Sequence, residues 1–284
     1  MNKATDCYKL SNGVEIPCLG FGTWQTPDGE VAENSVKCAI QSGYRHIDTA
    51  AVYGNEVGVG KGIHESGVPR EELFITTKVW NTDHGYDATM RAFDESMKRL
   101  GLDYIDLYLI HWPKLSPLDL EWKRKISETW RAMEILRKDG YVRSIGVSNF
   151  LPHHLEPLLR DCEVIPALDQ LELHAGYMQQ YAMTFCEANK IHLQAWSPLG
   201  RGRLNDNSFI KDLADKYQVT PQKLMLRFLN QLDISVIPKS NSLINMSSNL
   251  DIFDFTINRE DLSILMSLPQ FGFSGEFPDT ADFT

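Results

Sequence analysis

The sequence predicts an α/β protein: a closed (β/α)8 TIM barrel with an N-terminal β-hairpin, one domain spanning residues 1–284. Three observations carry this. Short apolar runs that each stop at a polar residue recur along the chain, and amphipathic segments of helical length separate them. No linker, low-complexity stretch or charge block interrupts the 284 residues, a length that single α/β barrels commonly occupy.

Taken in order, "YKLSNGVEIPCLGFGT" alternates apolar and polar residues around Asn12-Gly13, a strong hairpin signal, and runs into a first strand near Cys18 to Gly22. Seven further runs end at Asp48, Lys78, His111, Ser148-Asn149, Gln170, Trp196-Ser197 and Lys239-Ser240. Successive ends lie 22 residues apart at the closest (148 to 170) and 43 at the widest (196 to 239), which are βα-unit lengths. Between the runs, Val31 to Ser42, Glu56 to Glu65, Tyr86 to Leu100 and Ile126 to Lys138 show apolar residues at three- and four-residue spacing. Gly101 and Gly140 supply helix exits. Eight strands with eight crossovers satisfy a closed barrel. The stretch at 113–125 exceeds the needs of a βα loop, and the tail after Leu268 is rich in glycine and phenylalanine. Each reads either as a cover over a site or as a tolerated surface insertion.

Charge and composition narrow the function. There are 28 basic and 38 acidic residues, a net charge of −10, which opposes general attraction to nucleic acid or anionic lipid. Cys7, Cys18, Cys38, Cys162 and Cys186 are odd in number and contain no C-x-x-C pair, so reduced thiols are expected. The N-terminus lacks the apolar core of a signal peptide, and no apolar run reaches the roughly 18 residues of a membrane span. A soluble cytoplasmic protein is expected, with a small molecule as partner and neither nucleic acid nor membrane.

Catalytic groups in such barrels collect where the strands end, at the rim built from βα loops. That rule brings Asp48, Lys78 and His111 together, with Tyr53 one short loop past Asp48. A phenol is a poor acid near neutrality, but a nearby ammonium lowers its pKa by favouring phenolate. Lys78 supplies such a charge, Asp48 can hold the lysine protonated, and His111 can direct a substrate oxygen toward the phenol. Taken singly, each residue also has a plain reading: Asp48 as a helix cap, Tyr53 as turn packing, His111 as a strand end.

The blocks "LSNGVEIPCLGFGTW", "GYRHIDTAAVYGNEVGVG", "LFITTKVW", "LGLDYIDLYLIHWP", "GYVRSIGVSNF", "LDQLELH" and "WSPLGRG" resemble those of the aldo-keto reductases, in that family's order, over about Leu10 to Lys239. The closest look is to the compact bacterial members acting on diketogluconate or glyoxal. The resemblance implies NAD(P)H-dependent reduction of aldehydes, ketones or α-dicarbonyls. Tyr53 is then the general acid, Lys78 and Asp48 tune it, and His111 orients the carbonyl. By analogy with relatives of this size, a monomer is expected.

Carbonyl reduction needs a hydride donor, and no side chain is one, so a nicotinamide is implied. The chain has no G-x-G-x-x-G fingerprint; "GVGKG" at 58–62 reads as close helix packing. Ser148, Asn149 and Gln170 stand where the family hydrogen-bonds the nicotinamide carboxamide, and their chemistry can match both its donor and its acceptor. Trp196 can stack on the ring or pack in the core. Thr23, Asp48, Ser197 and Leu199 fall among the implied cofactor contacts. Lys239, Ser240 and Ser242 follow the eighth strand, a recurring phosphate position, and Asn249 matches the family too. Where relatives carry an arginine and an acid, this chain has Asn245 and Ser248. Losing a bidentate guanidinium weakens phosphate discrimination, so NADPH remains the first choice with NADH use open. Arg201 and Arg203 either compensate near the pyrophosphate or do nothing specific.

Trp24, Trp80 and Trp112, beside His111, are expected to line the substrate pocket or to plug the barrel top. Three other classes compete. Lys78 could form a Schiff base in a carbon–carbon lyase, and a cofactor-sensing protein could keep the tetrad without turnover. A metal-dependent hydrolase fits least: no His-x-His pair exists, and His153-His154 on one strand could not face one ion. No metal is expected.

Overall fold

The computed structural model describes residues 1–284. Strands β1 (Cys7–Lys9) and β2 (Glu15–Pro17) pair antiparallel with Tyr8 opposite Ile16. Their connection is a three-residue loop rather than the two-residue Asn-Gly turn. The Leu10 N–H donates to Val14 O, the Gly13 N–H donates to Leu10 O, and Gly13 takes φ 86°, the left-handed residue that such a loop requires. The Tyr8 hydroxyl donates to Asn230 O and its ring meets His192 at 4.8 Å, while Asn12 reaches Ser144 Oγ at 2.9 Å. The hairpin therefore closes the end of the barrel where strands begin, leaving the opposite end for a site.

Eight parallel strands follow: β3 (Phe21–Gly22), β4 (His46–Asp48), β5 (Phe74–Val79), β6 (Ile105–Ile110), β7 (Val142–Ser148), β8 (Leu168–Glu172), β9 (His192–Trp196) and β10 (Ser235–Val236), hydrogen-bonded in chain order. Leu19 pairs with Val236, and the Gly20 and Gly22 amides donate to Val236 O and Pro238 O. Those bonds join the last strand to the first, so the sheet has no free edge. Every residue of β5 and β6 is buried, as expected of parallel strands covered on both faces. Lys78 is thus carried into the interior by a strand whose every residue is buried.

The helices are α1 (Glu30–Ser42), α2 (Glu56–Glu65), α3 (Tyr86–Leu100), α4 (Trp122–Lys138), α5 (Pro152–Asp161), α6 (Gln180–Ala188), α7 (Ser208–Lys216), α8 (Pro221–Gln231), α9 (Leu243–Leu250) and α10 (Arg259–Met266). The expected bounds of α2 and α3 hold to the residue. In contrast, α4 starts at Trp122 rather than Ile126, so the end of the 113–125 stretch is its first turn. The widest interval, before β10, holds two helices: Asn207 caps α7 and Thr220 caps α8, with Pro221 at the first helical position. The "GVGKG" glycines serve helix packing. A Cβ on Gly58 would crowd Ala32, one on Gly62 would lie 2.5 Å from Glu33 O, and one on Gly60 would overlap the Leu100 carbonyl. No helix is long and apolar enough to cross a membrane, and all five cysteines are free thiols.

Candidate active site

Asp48 closes β4, Lys78 sits near the end of β5, and His111 follows β6, so three adjacent strands deliver them to one rim. Lys78 Nζ, wholly buried, donates to Asp48 Oδ1 at 2.6 Å, to Thr49 O at 2.9 Å and to Tyr53 Oη at 3.5 Å. Tyr53 ends a short turn (Ala51–Tyr53) that Gly54 leaves with φ 66°, which brings the phenol back over the strand it came from. Asp48 caps no helix. Its second oxygen accepts from Gln170 Nε2 at 2.8 Å. The His111 ring stands edge-on to Tyr53 (5.5 Å) and to Trp80 (5.2 Å), and its side chain has no protein hydrogen-bond partner.

The electrostatics depart from expectation. Burial, then the charges of Asp48 and Glu276, push the Tyr53 phenol well above its usual value, with Arg201 opposing. Burial and these carboxylates outweigh the pull of the Lys78 ammonium, whose closer contact is with Asp48. Burial lowers Lys78 itself, and the Asp48 carboxylate counters by stabilising its charge. Burial first, then the Lys78 charge, hold His111 well below the usual histidine range, so the imidazole is neutral.

A cavity of about 720 Å³ opens over this cluster and runs from Tyr53 and Trp80 past Trp196 and Ser197 to Lys239 and Asn245. Trp24, Trp112, Asp48, Ser148, Asn149, Gln170 and Leu199 also line it. Thr23, Ser240, Ser242 and Asn249 do not. Thr23 is buried behind the wall, its hydroxyl donating to Asp48 O, and the Ser240 hydroxyl bonds Ser242. Of the eight non-glycine residues with positive φ, four (Gln25, Asn149, Ser197, Arg201) line the cavity, a concentration of backbone strain where a ligand would lie.

The carboxamide trio is narrower in chemistry than its residue types imply. Both Asn149 amide hydrogens are engaged, by His111 O and Ser148 Oγ, and the Ser148 hydroxyl donates to Gln170 O. Gln170 Nε2 is shared between Asp48 and Gln194. What remains free is acceptor capacity, chiefly Gln170 Oε1, which suits an NH2 group. Trp196 lines the cavity and is fixed there by donating Nε1–H to Asn149 Oδ1 at 2.8 Å.

Sequence reasoning missed several groups. Asn55, wholly buried, donates to Thr23 O and Thr26 O and so ties the first βα loop to α2. Arg201, read as either useful or idle, lies 4.2 Å over the Trp24 ring and pairs with Glu276 at 3.2 Å, both at the cavity. Glu276 and Phe283 come from the tail, and their only signal was its aromatic content. The 113–121 stretch contributes no cavity wall. His153 and His154 also lie on the first turn of α5, not on a strand, and both Nε2 atoms meet Asp279 Oδ1 at 3.1 Å. The expectation that the two rings could not face one ion assumed a strand, and the helix turn removes that assumption.

A pattern described as the aldo/keto reductase family matches residues 18–269. The chain belongs to the aldo/keto reductase family. It is 48% identical to the glyoxal reductase of Bacillus subtilis (strain 168) over 274 residues, 96% of each chain, and 41% identical to the methylglyoxal reductase DkgA of Escherichia coli (strain K12), over 95% and 96%. Among solved structures it is similar to an aldo-keto reductase of Bombyx mori in complex with NADP, with TM-score 0.86, 35% identity and coverage of 97% and 98%. An aldo/keto reductase from Brucella melitensis superposes with TM-score 0.87 at 44% identity, covering 92% and 98%. As a member of this family the protein is an NADPH-dependent oxidoreductase acting on carbonyl compounds.

Proposed function

We propose that this aldo/keto reductase reduces small aldehydes, ketones and above all α-dicarbonyls to alcohols, with Tyr53 as the proton donor. The observation that carries the reading is the single buried ammonium of Lys78 held between Asp48 Oδ1 and the Tyr53 hydroxyl. Bound NADPH supplies the hydride. Tyr53 gives its proton to the substrate oxygen as negative charge develops there. A phenol pushed upward by burial keeps that proton until a strong base forms, and the adjacent ammonium stabilises the phenolate that is left. The neutral His111 ring, free of protein partners, hydrogen-bonds the same oxygen and fixes its approach.

The residues present fit a nicotinamide dinucleotide. Gln170 lines the cavity and its Oε1 accepts no protein hydrogen bond, Trp196 offers a ring face, and Ser197, Leu199 and Lys239 continue the wall toward the chain after β10. Ser240, Ser242 and Asn249 shape that segment from behind, and Thr23 and Asp48 hold the inner wall. α9 begins after Ser242, whose side chain does not cap it, leaving first-turn amides for a phosphate. Trp24, Trp80 and Trp112 give an apolar substrate end with few polar groups to demand one particular compound.

Tyr53→Phe is expected to remove about 99% or more of kcat while NADPH affinity, read by tryptophan fluorescence, stays within about twofold. Normal turnover of methylglyoxal by that variant would unseat Tyr53. A cofactor-sensing protein would bind NADPH and turn over no carbonyl compound in the same 340 nm assay. A lyase would leave a borohydride-trapped adduct on Lys78; none is expected, since that amine is kept as an ammonium by Asp48.

A further inference from the structure

Beyond Ser274, whose amide and hydroxyl bond the Glu172 carboxylate at 2.9 and 2.7 Å, the tail crosses the substrate end of the cavity. There Asp279 Oδ1 collects three donors, Lys114 Nζ at 2.8 Å and both His153 and His154 Nε2 at 3.1 Å. Lys114 belongs to the loop after β6 and the two histidines to α5. Four residues on, the Phe283 amide donates to Leu115 O at 3.0 Å. The Phe283 ring packs 5.1 Å from both Trp80 and Trp112 and lines the cavity beside them.

Two histidines and a carboxylate suggest a metal, but the hydrogen bonds oppose one. The Leu151 N–H donates to His154 Nδ1 at 3.1 Å, so the ring's proton is on Nε2, where a metal would need a lone pair. Lys114 already places an ammonium on the shared oxygen. These donors hold the Asp279 carboxyl at about 2, and burial holds His154 at about 3. The contact therefore stays charged on one side and closed throughout the neutral range, a fastening rather than a pH switch.

We propose that Asp279 is a positioning residue that fastens the tail so that Phe283 walls the substrate pocket and limits the size of carbonyl compound admitted. This rests on the reductase reading above. Without the Asp279 contacts, the hydrogen bonds left to hold this end of the chain are the Phe283 amide and the part-exposed Arg201–Glu276 pair, beside the packing of Pro278 and the Phe283 ring. Carbonyl compounds larger than a small dicarbonyl would then find the wall movable.

The test compares Asp279→Ala, Phe283→Ala and the double variant on methylglyoxal and 2-naphthaldehyde with NADPH. Either single change is expected to raise the naphthaldehyde-to-methylglyoxal ratio of kcat/KM about tenfold through KM, and Asp279→Ala, which touches no substrate, is expected to leave kcat for methylglyoxal and NADPH affinity unchanged. The double variant is expected to match Phe283→Ala, because the two residues act through one wall. Lys114→Met, which removes one donor of three, is expected to move the ratio less. Hydrogen exchange of peptide 277–284 reads the fastening without turnover and should quicken in Asp279→Ala. Unchanged exchange, or a ratio that Asp279→Ala shifts equally with and without Phe283, would overturn the proposal. Absence of turnover in every form, with faster exchange in Asp279→Ala, would instead sink the reductase reading and leave the fastening standing.

Discussion

Asn245 shows what a single residue decides. It is exposed, lines the cavity beyond Lys239, and stands where the family resemblance implies an arginine. A guanidinium would meet a 2′-phosphate with two parallel hydrogen bonds, which an amide cannot do with the same charge. Asn245→Arg is therefore expected to tighten NADPH about tenfold and leave NADH unchanged, measured by fluorescence titration with both cofactors. Equal tightening would mean that the side chain reaches the shared pyrophosphate instead. At this scale the tetrad was readable because Asp48, Lys78 and His111 stand at strand ends, marked by the polar residue that stops an apolar run, and Tyr53 lies one short turn past the first of them. The direction of the Tyr53 shift was not readable: it depends first on how deeply the phenol is buried, then on the nearby Asp48 charge and on Glu276, more than two hundred positions away in the chain.

Among the elements, α2 illustrates packing that only glycine permits. Alanine at Gly60 would gain about 1 kcal/mol of helix propensity, but its methyl would overlap the Leu100 carbonyl, the last residue of α3. Backbone cannot step aside as a rotamer can, so overpacking of about 1–3 kcal/mol is expected to win. Gly60→Ala should lower the urea midpoint without changing the slope, while a stabilised variant would show that α2 and α3 slide apart freely. Amphipathic period located α2 and α3 to the residue because their apolar faces are continuous. It placed the start of α4 four residues late because Trp122 to Lys125 carry mostly charge, and only the turn of backbone ahead of Ile126 makes them helical.

For the whole molecule, the barrel's closure was legible in the count of eight runs, whereas the path of the tail was not, since its anchors on Gly176, Glu172 and Leu115 are distant backbone and carboxylate groups. The buried histidines give the fold a common acid limit. Burial holds His46 and His154 at about 3 and His111 well below its usual range. An unfolded chain protonates such rings near 6.5, while the folded chain keeps them neutral. Stability is thus fully present above pH 6.5 and falls as pH drops toward the folded values, by about 1.4 kcal/mol per pH unit for each ring. Unfolding followed by circular dichroism is expected between about pH 6 and 4. A native spectrum at pH 4 would mean that these rings accept protons in place.

Asp48 gives one oxygen to Lys78 and the other to Gln170. In the proposed enzyme, the group that braces the acid and the group that seats the nicotinamide amide thus hang from one carboxylate. Exchanging Gln170 to change how the nicotinamide amide is held would loosen the lysine beneath Tyr53 as well, so nicotinamide seating and proton delivery are not separately adjustable in this barrel.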